Sequence, residues 1–214
     1  GAMMGVSNHT VKITNLSRKV ATDQFNTDLL VDMSGIWKVV RGYSGIAGKG
    51  LTYKSGAVTM EGFGGTAYMK DAVKNAVSVE FTLNKYDAKK GDFFSFGVVN
   101  KEGVYYNPNG QESQGIYVRI KSWVNGMGLN VTVFNLTKAG SEELGTITSK
   151  IPPKNQKHNL AIFQEDGVWY VGIDGNQKMQ LNVDVNLAGE TGVTGDLNLC
   201  LHGHTVTAAK DQQI

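Results

Sequence analysis

What most constrains this chain is a two-residue period that returns repeatedly along it. In residues 75–86, NAVSVEFTLNKY, the side chains of Val77, Val79, Phe81 and Leu83 share one side. Ser78, Glu80, Thr82 and Asn84 share the other. Successive side chains of a strand point to opposite faces, so such a run buries one face and wets the other. Residues 92–100 (DFFSFGVVN) repeat the pattern with Phe94, Phe96 and Val98 inward, and residues 196–202 (DLNLCLH) with Leu197, Leu199 and Leu201. The clearest pair is 115–135, GIYVRIKSWVNGMGLNVTVFN. Ile116, Val118 and Ile120 alternate with Tyr117, Arg119 and Lys121, and Leu129, Val131 and Val133 with Asn130, Thr132 and Phe134, on either side of a turn at 125–128.

Helical spacing is nearly absent. Only 21–35 (ATDQFNTDLLVDMSG) offers a short helix. Turn signals separate the rest: four glycines within 41–50, GFGG at 62–65, Asp-Gly at 166–167 and again at 174–175, and an extended break at Pro152–Pro153. Strands are expected within 6–20, at 36–40, in a hairpin over 51–62, at 144–147, 159–163, 168–173 and 181–187, and at 205–209. About a dozen strands divided by turns predict an all-β fold, a two-sheet antiparallel β-sandwich. No linker or change of composition divides the chain, so 6–214 reads as one domain. Residues 1–5, opening Gly1–Ala2–Met3, look like the remnant of a cleaved tag.

Several function classes lose support at this level. The 21 basic and 19 acidic residues are dispersed and form no basic block, which argues against nucleic-acid binding. No apolar run is long enough for a membrane-spanning helix, so membrane insertion is not expected. The single cysteine, Cys200, permits no internal disulfide and reads as a small strand hydrophobe. Glu142 and Glu143 are adjacent and therefore diverge in a strand, while Glu165 and Asp166 fall in a turn. The spaced carboxylates of a glycosidase and the nucleophile, zinc and phosphate-loop motifs are missing, so no catalytic residue is assigned. His202 and His204 share a face at i and i+2 but lack further ligands for a metal. Trp37 and Trp169 read as core; Trp123 fits either a core plug or an exposed platform.

The order and spacing of DFFSFGVVN, GIYVRIK, LNVTVFN, the hairpin HNLAIFQEDGVWYVGIDG and the late run GDLNLCLHGH resemble a concanavalin A-like jelly roll. That is the fold of legume lectins, laminin G-like domains and many bacterial carbohydrate-binding modules. The resemblance implies glycan binding on a concave sheet face. If those strands are neighbours, Ser95, Tyr117, Arg119, Thr132, Asn198 and His202 share that face, with Tyr106, Trp123 and Asn125 on its rim. Rings for stacking and planar polar groups for sugar hydroxyls are both present in this set, although a plain solvated sheet face would look the same. The fold often holds calcium, for which Asp87, Asp92, Asn107 and Asn109 could supply oxygens.

The expectation is a non-catalytic carbohydrate-binding module, monomeric, from a secreted or cell-surface bacterial protein. A structural or protein-binding laminin G-like domain is the alternative, and a glycoside hydrolase or lyase the third reading.

Overall fold

The computed structural model of the chain describes residues 1–22, 25–30, 37–41, 51–69, 76–85, 93–101, 113–122, 127–175, 177–187 and 206–207. Every regular element among them is a strand, and two antiparallel sheets pack as a sandwich. The organising element is β1 (Ala2–Thr22), whose 21 residues make it far longer than an ordinary strand. Its ladder is irregular between Val6 and His9, where the chain turns the corner between the layers. Before the corner, Ala2–Ser7 pairs with β7 (Phe93–Val99); after it, Thr10–Lys19 pairs with β6 (Ala76–Lys85). On its other edge β5 (Ala57–Met69) follows β1 through the bend, from Ala2 to Ile13.

Each layer grows outward from this shared pair. In the first, β7 is followed by β8 (Gly115–Ser122), β9 (Leu129–Thr137) and β10 (Gly140–Ser149), and β3 (Trp37–Arg41) pairs with the end of β5. In the second, β6 is followed by β11 (Lys157–Glu165), β12 (Val168–Ile173) and β13 (Gln177–Gln180), and β4 (Leu51–Lys54) pairs with the start of β5. A short parallel pair, β14 (Val185–Asn186) and β15 (Val206–Thr207), stands apart. The alternating residues meet between the layers as expected. Val118, Ile120, Val131 and Val133 from one sheet and Val79, Phe81, Leu160, Ile162 and Val171 from the other belong to one buried cluster. Phe81 and Phe94 touch across it with ring centroids 5.0 Å apart. Trp37 and Trp169 are both in this core.

Turn chemistry behaves as the sequence indicates. Ser55–Gly56 and Asp166–Gly167 each place two consecutive residues at positive φ, the twist that a two-residue hairpin needs; Asp174–Gly175 shares that positive φ in a connection one residue longer, since Ile173 pairs with Gln177.

Four expectations are corrected, the first being the strand expected at 181–187, which forms only at Val185–Asn186. The helix expected within 21–35 is replaced at Phe25–Leu30 by a strand, β2, paired with Ser17–Thr22 of β1. Asn26, Thr27 and Asp28 are poor helix formers, and the free edge of a long strand supplies backbone partners instead. The strand expected at 144–147 extends over Gly140–Ser149. The sandwich also begins before Val6: Ala2, Met3 and Met4 are buried, and the backbone of 2–5 is paired on both edges.

Candidate functional site

Register places Ser95, Arg119 and Thr132 side by side on the outer face of the first sheet. Gly97, Tyr117 and Phe134 form the next row. The sequence thus identifies a shared face correctly for four of its candidates. That face is not an open platform. Tyr117 is 1% exposed and packs with Met3, Tyr68, Val99 and Leu136 in a second apolar cluster. Its ring contacts Phe134 at 5.7 Å, and the half-buried Arg119 guanidinium lies 5.4 Å above the Phe134 ring. Ser95 is buried and its Oγ donates to Gly5 O at 3.3 Å; Thr132 shares a 3.1 Å hydrogen bond with Thr146. Tyr106, Trp123, Asn125, Asn198 and His202 lie outside the described residues, as do Asp87, Asp92, Asn107, Asn109, Cys200 and His204. Among the described residues no cluster of three or more acidic, histidine or cysteine side chains could hold a metal.

The opposite sheet carries a groove. Asn159, Ala161 and Phe163 alternate outward along β11, Tyr170 and Gly172 along β12, and Lys178 projects from β13. Register puts Ala161, Gly172 and Lys178 in one row and Phe163 and Tyr170 in the next. Ala161 and Gly172 are too small to fill their row, which leaves a depression of about 320 Å³. On one side Phe163 and Tyr170 stack with centroids 5.4 Å apart and planes within 15°. Lys178 Nζ sits 5.1 Å from the Tyr170 ring centre.

The far side of the groove is polar. Asn159 Nδ2 donates to Ser78 Oγ at 2.9 Å, which leaves its Oδ1 as an acceptor. Gln177 is oriented by the protein itself: Thr148 N donates to it at 2.8 Å, so the receiving atom must be Oε1. Gln177 pairs with the buried Ile173, so its side chain leaves the inner face of β13 toward the other layer, and it borders the groove through its main-chain oxygen beside Gly172. The Thr148 contact ties β10 to β13, the two end strands of the ladder, and covers an edge that would otherwise be open.

Beneath this wall lies a buried polar cluster. Asp174 accepts hydrogen bonds from His158 Nδ1 at 2.9 Å, from Asn159 N at 2.7 Å and from Ser149 Oγ. His158 Nε2 faces Pro153 O at 3.3 Å, and the imidazole stacks on Phe81 at 5.4 Å. Burial pushes the Asp174 carboxyl up, but the hydrogen bonds from His158, Ser149 and Asn159, with the attraction of His158, outweigh it and hold the carboxyl below its usual value.

Serine, histidine and aspartate are the residue types of a hydrolytic triad, but the connectivity differs. Ser149 donates to the aspartate and not to the imidazole, and His158 Nε2 faces a main-chain carbonyl. With Ser149 and His158 each 1% exposed, the cluster offers no reachable nucleophile. It joins the end of β10, the start of β11 and the β12–β13 turn, and so holds Asn159, Gly175 and Gln177 in place.

The sequence reading singled out none of the groove residues as ligands. The signal was present: 159–163 and 168–173 alternate like the runs at 75–86 and 115–135, so an outward row of Asn159, Ala161, Phe163, Tyr170 and Gly172 follows from the same two-residue period. The closeness of Gln177 to Thr148 depends on sheet closure and has no such local signal. Comparison with protein-family models, characterised proteins and solved structures finds no match for this chain.

Proposed function

We propose that this chain is a non-catalytic carbohydrate-binding module that holds a glycan in the groove over β11–β13. The observation that carries the reading is the Phe163 ring, backed by Tyr170, facing the Asn159 amide across a floor of Ala161 and Gly172. The C–H faces of a pyranose stack on rings, and its hydroxyls need donors and acceptors opposite. The placement in a secreted or cell-surface bacterial protein, and the concanavalin A-like form of the sandwich, belong to the same proposal.

A protein-docking role would call for a contiguous exposed apolar patch. The large exposed apolar side chains among the described residues are Tyr53 and Met127, on separate segments, and the glycan reading is preferred.

The test is affinity electrophoresis of the protein through gels containing neutral and acidic polysaccharides, alongside Gly172→Val and Phe163→Ala. Retardation by at least one polysaccharide, lost in both variants, supports the proposal. Unretarded migration in every gel, or retardation that both variants retain, overturns it.

A further inference from the structure

The groove is unevenly supplied with hydrogen-bonding groups. Lys178 is the charged residue of its lining, with Asn159 and Gln177 as the polar ones. Gln177 sends its side chain to Thr148 on the other layer and borders the groove through its main chain. Lys178 brings three donors and a positive charge. Asn159 adds the acceptor Oδ1. The site is therefore positive at one end.

The nearby carboxylates do not cancel this charge. Glu80, on the neighbouring strand, accepts from Thr14 Oγ1 at 2.6 Å and Asn15 Nδ2 at 3.2 Å, and pairs with Lys157 at 3.7 Å. The Asp174 side chain is only 2% exposed and is occupied by His158. Glu165 lies two residues beyond Phe163, past the aromatic wall. Phe163 stacks on Tyr170 and the ammonium of Lys178 rests over the Tyr170 ring, so a sugar ring set against Phe163 in the groove has a cation already in position beside it.

We infer that the groove takes an acidic saccharide, with the carboxylate or sulfate received by Lys178 Nζ while the sugar ring stacks against Phe163. This deepens the proposed glycan binding and rests on it. The group read is an anionic oxygen cluster on a pyranose; a uronic acid and a sulfated sugar are its two sources. Charged hydrogen bonds of this kind are worth a factor of about ten in affinity.

Calorimetric titration of the whole chain decides the matter, with polygalacturonate, its methyl ester, chondroitin sulfate and cellohexaose as probes. Binding of polygalacturonate or chondroitin sulfate about tenfold tighter than of the methyl ester and cellohexaose is expected. Lys178→Gln should remove that margin, so that acidic and neutral probes bind alike. Preference for polygalacturonate identifies the carboxylate as the source, and preference for chondroitin sulfate identifies the sulfate. If neutral and acidic probes bind alike and Gly172→Val abolishes both, the groove remains the glycan site and the acidic specificity is wrong. If an acidic preference survives Lys178→Gln, the assignment to this lysine is wrong. If no probe binds, the glycan reading falls with it.

Discussion

Replacing Asp174 by Asn tests whether the buried cluster holds the groove's polar wall. The substitution keeps the shape of the side chain, and Asn tolerates the φ of 53° at this position, so backbone strain is not the cause of any loss. It removes the charge to which His158 Nδ1, Ser149 Oγ and Asn159 N all donate. Leaving a donor without its charged acceptor costs about 1–3 kcal/mol, and three donors lose theirs here. An amide oxygen still accepts part of the set, which places the expected loss near the lower end, about 3 kcal/mol. With a urea m-value of about 2–3 kcal/mol/M, the unfolding midpoint should fall by about 1–1.5 M.

The pH dependence follows from the direction of the Asp174 shift. A carboxyl whose folded pKa is depressed stabilises the fold fully above its unfolded value of 3.8. That contribution is lost as pH falls from there through the lower folded value. The gap between wild type and Asp174→Asn should therefore be widest near pH 6 and narrow as the solution is acidified below 3.8. Urea titrations across that range measure it. A variant within about 0.5 kcal/mol of wild type near neutrality, or a gap unchanged by acid, would refute the argument.

Four further substitutions separate stability from binding. A Cβ on Gly172 meets its neighbours at an ordinary 3.5–3.8 Å, so Gly172→Val should fold with a urea midpoint near wild type while filling the groove and abolishing glycan retention. A Cβ on Gly97 would stand 2.5 Å from the main-chain oxygen of Ile116, so Gly97→Ala should cost about 1–3 kcal/mol in chemical denaturation. Tyr117→Ala, in the second apolar cluster, should cost about 3 kcal/mol or more yet leave glycan retention intact wherever the protein remains folded. Met4→Ala should cost about 2–5 kcal/mol by the same denaturation assay, because β1 is packed in the core from its first residues.

The fold was legible where information was local. The alternation at 75–86, 92–100 and 115–135 gives the strands and their inward faces, and the Asp-Gly pairs give their turns. What remained hidden depends on partners distant in sequence. Phe25–Leu30 is a strand because β1 lies beside it, and no periodicity within 21–35 announces that. Likewise the two-residue period separates the faces of a sheet but does not say which outer face stays open. Tyr117 and Tyr170 alternate alike in their strands; the first lies in an apolar cluster with Met3 and Tyr68, while the second backs Phe163 at the side of a gap lined by Gly172 and Ala161. Small residues in register across strands were the available cue, and it can be read only once the register is known.

The most direct test of the account is a backbone-amide NMR titration with oligogalacturonate and with cellohexaose. The account predicts saturable shifts centred on Asn159, Phe163, Tyr170, Gly172 and Lys178. Shifts centred instead on Ser95, Tyr117, Arg119 and Thr132 would place the glycan on the other sheet and contradict it.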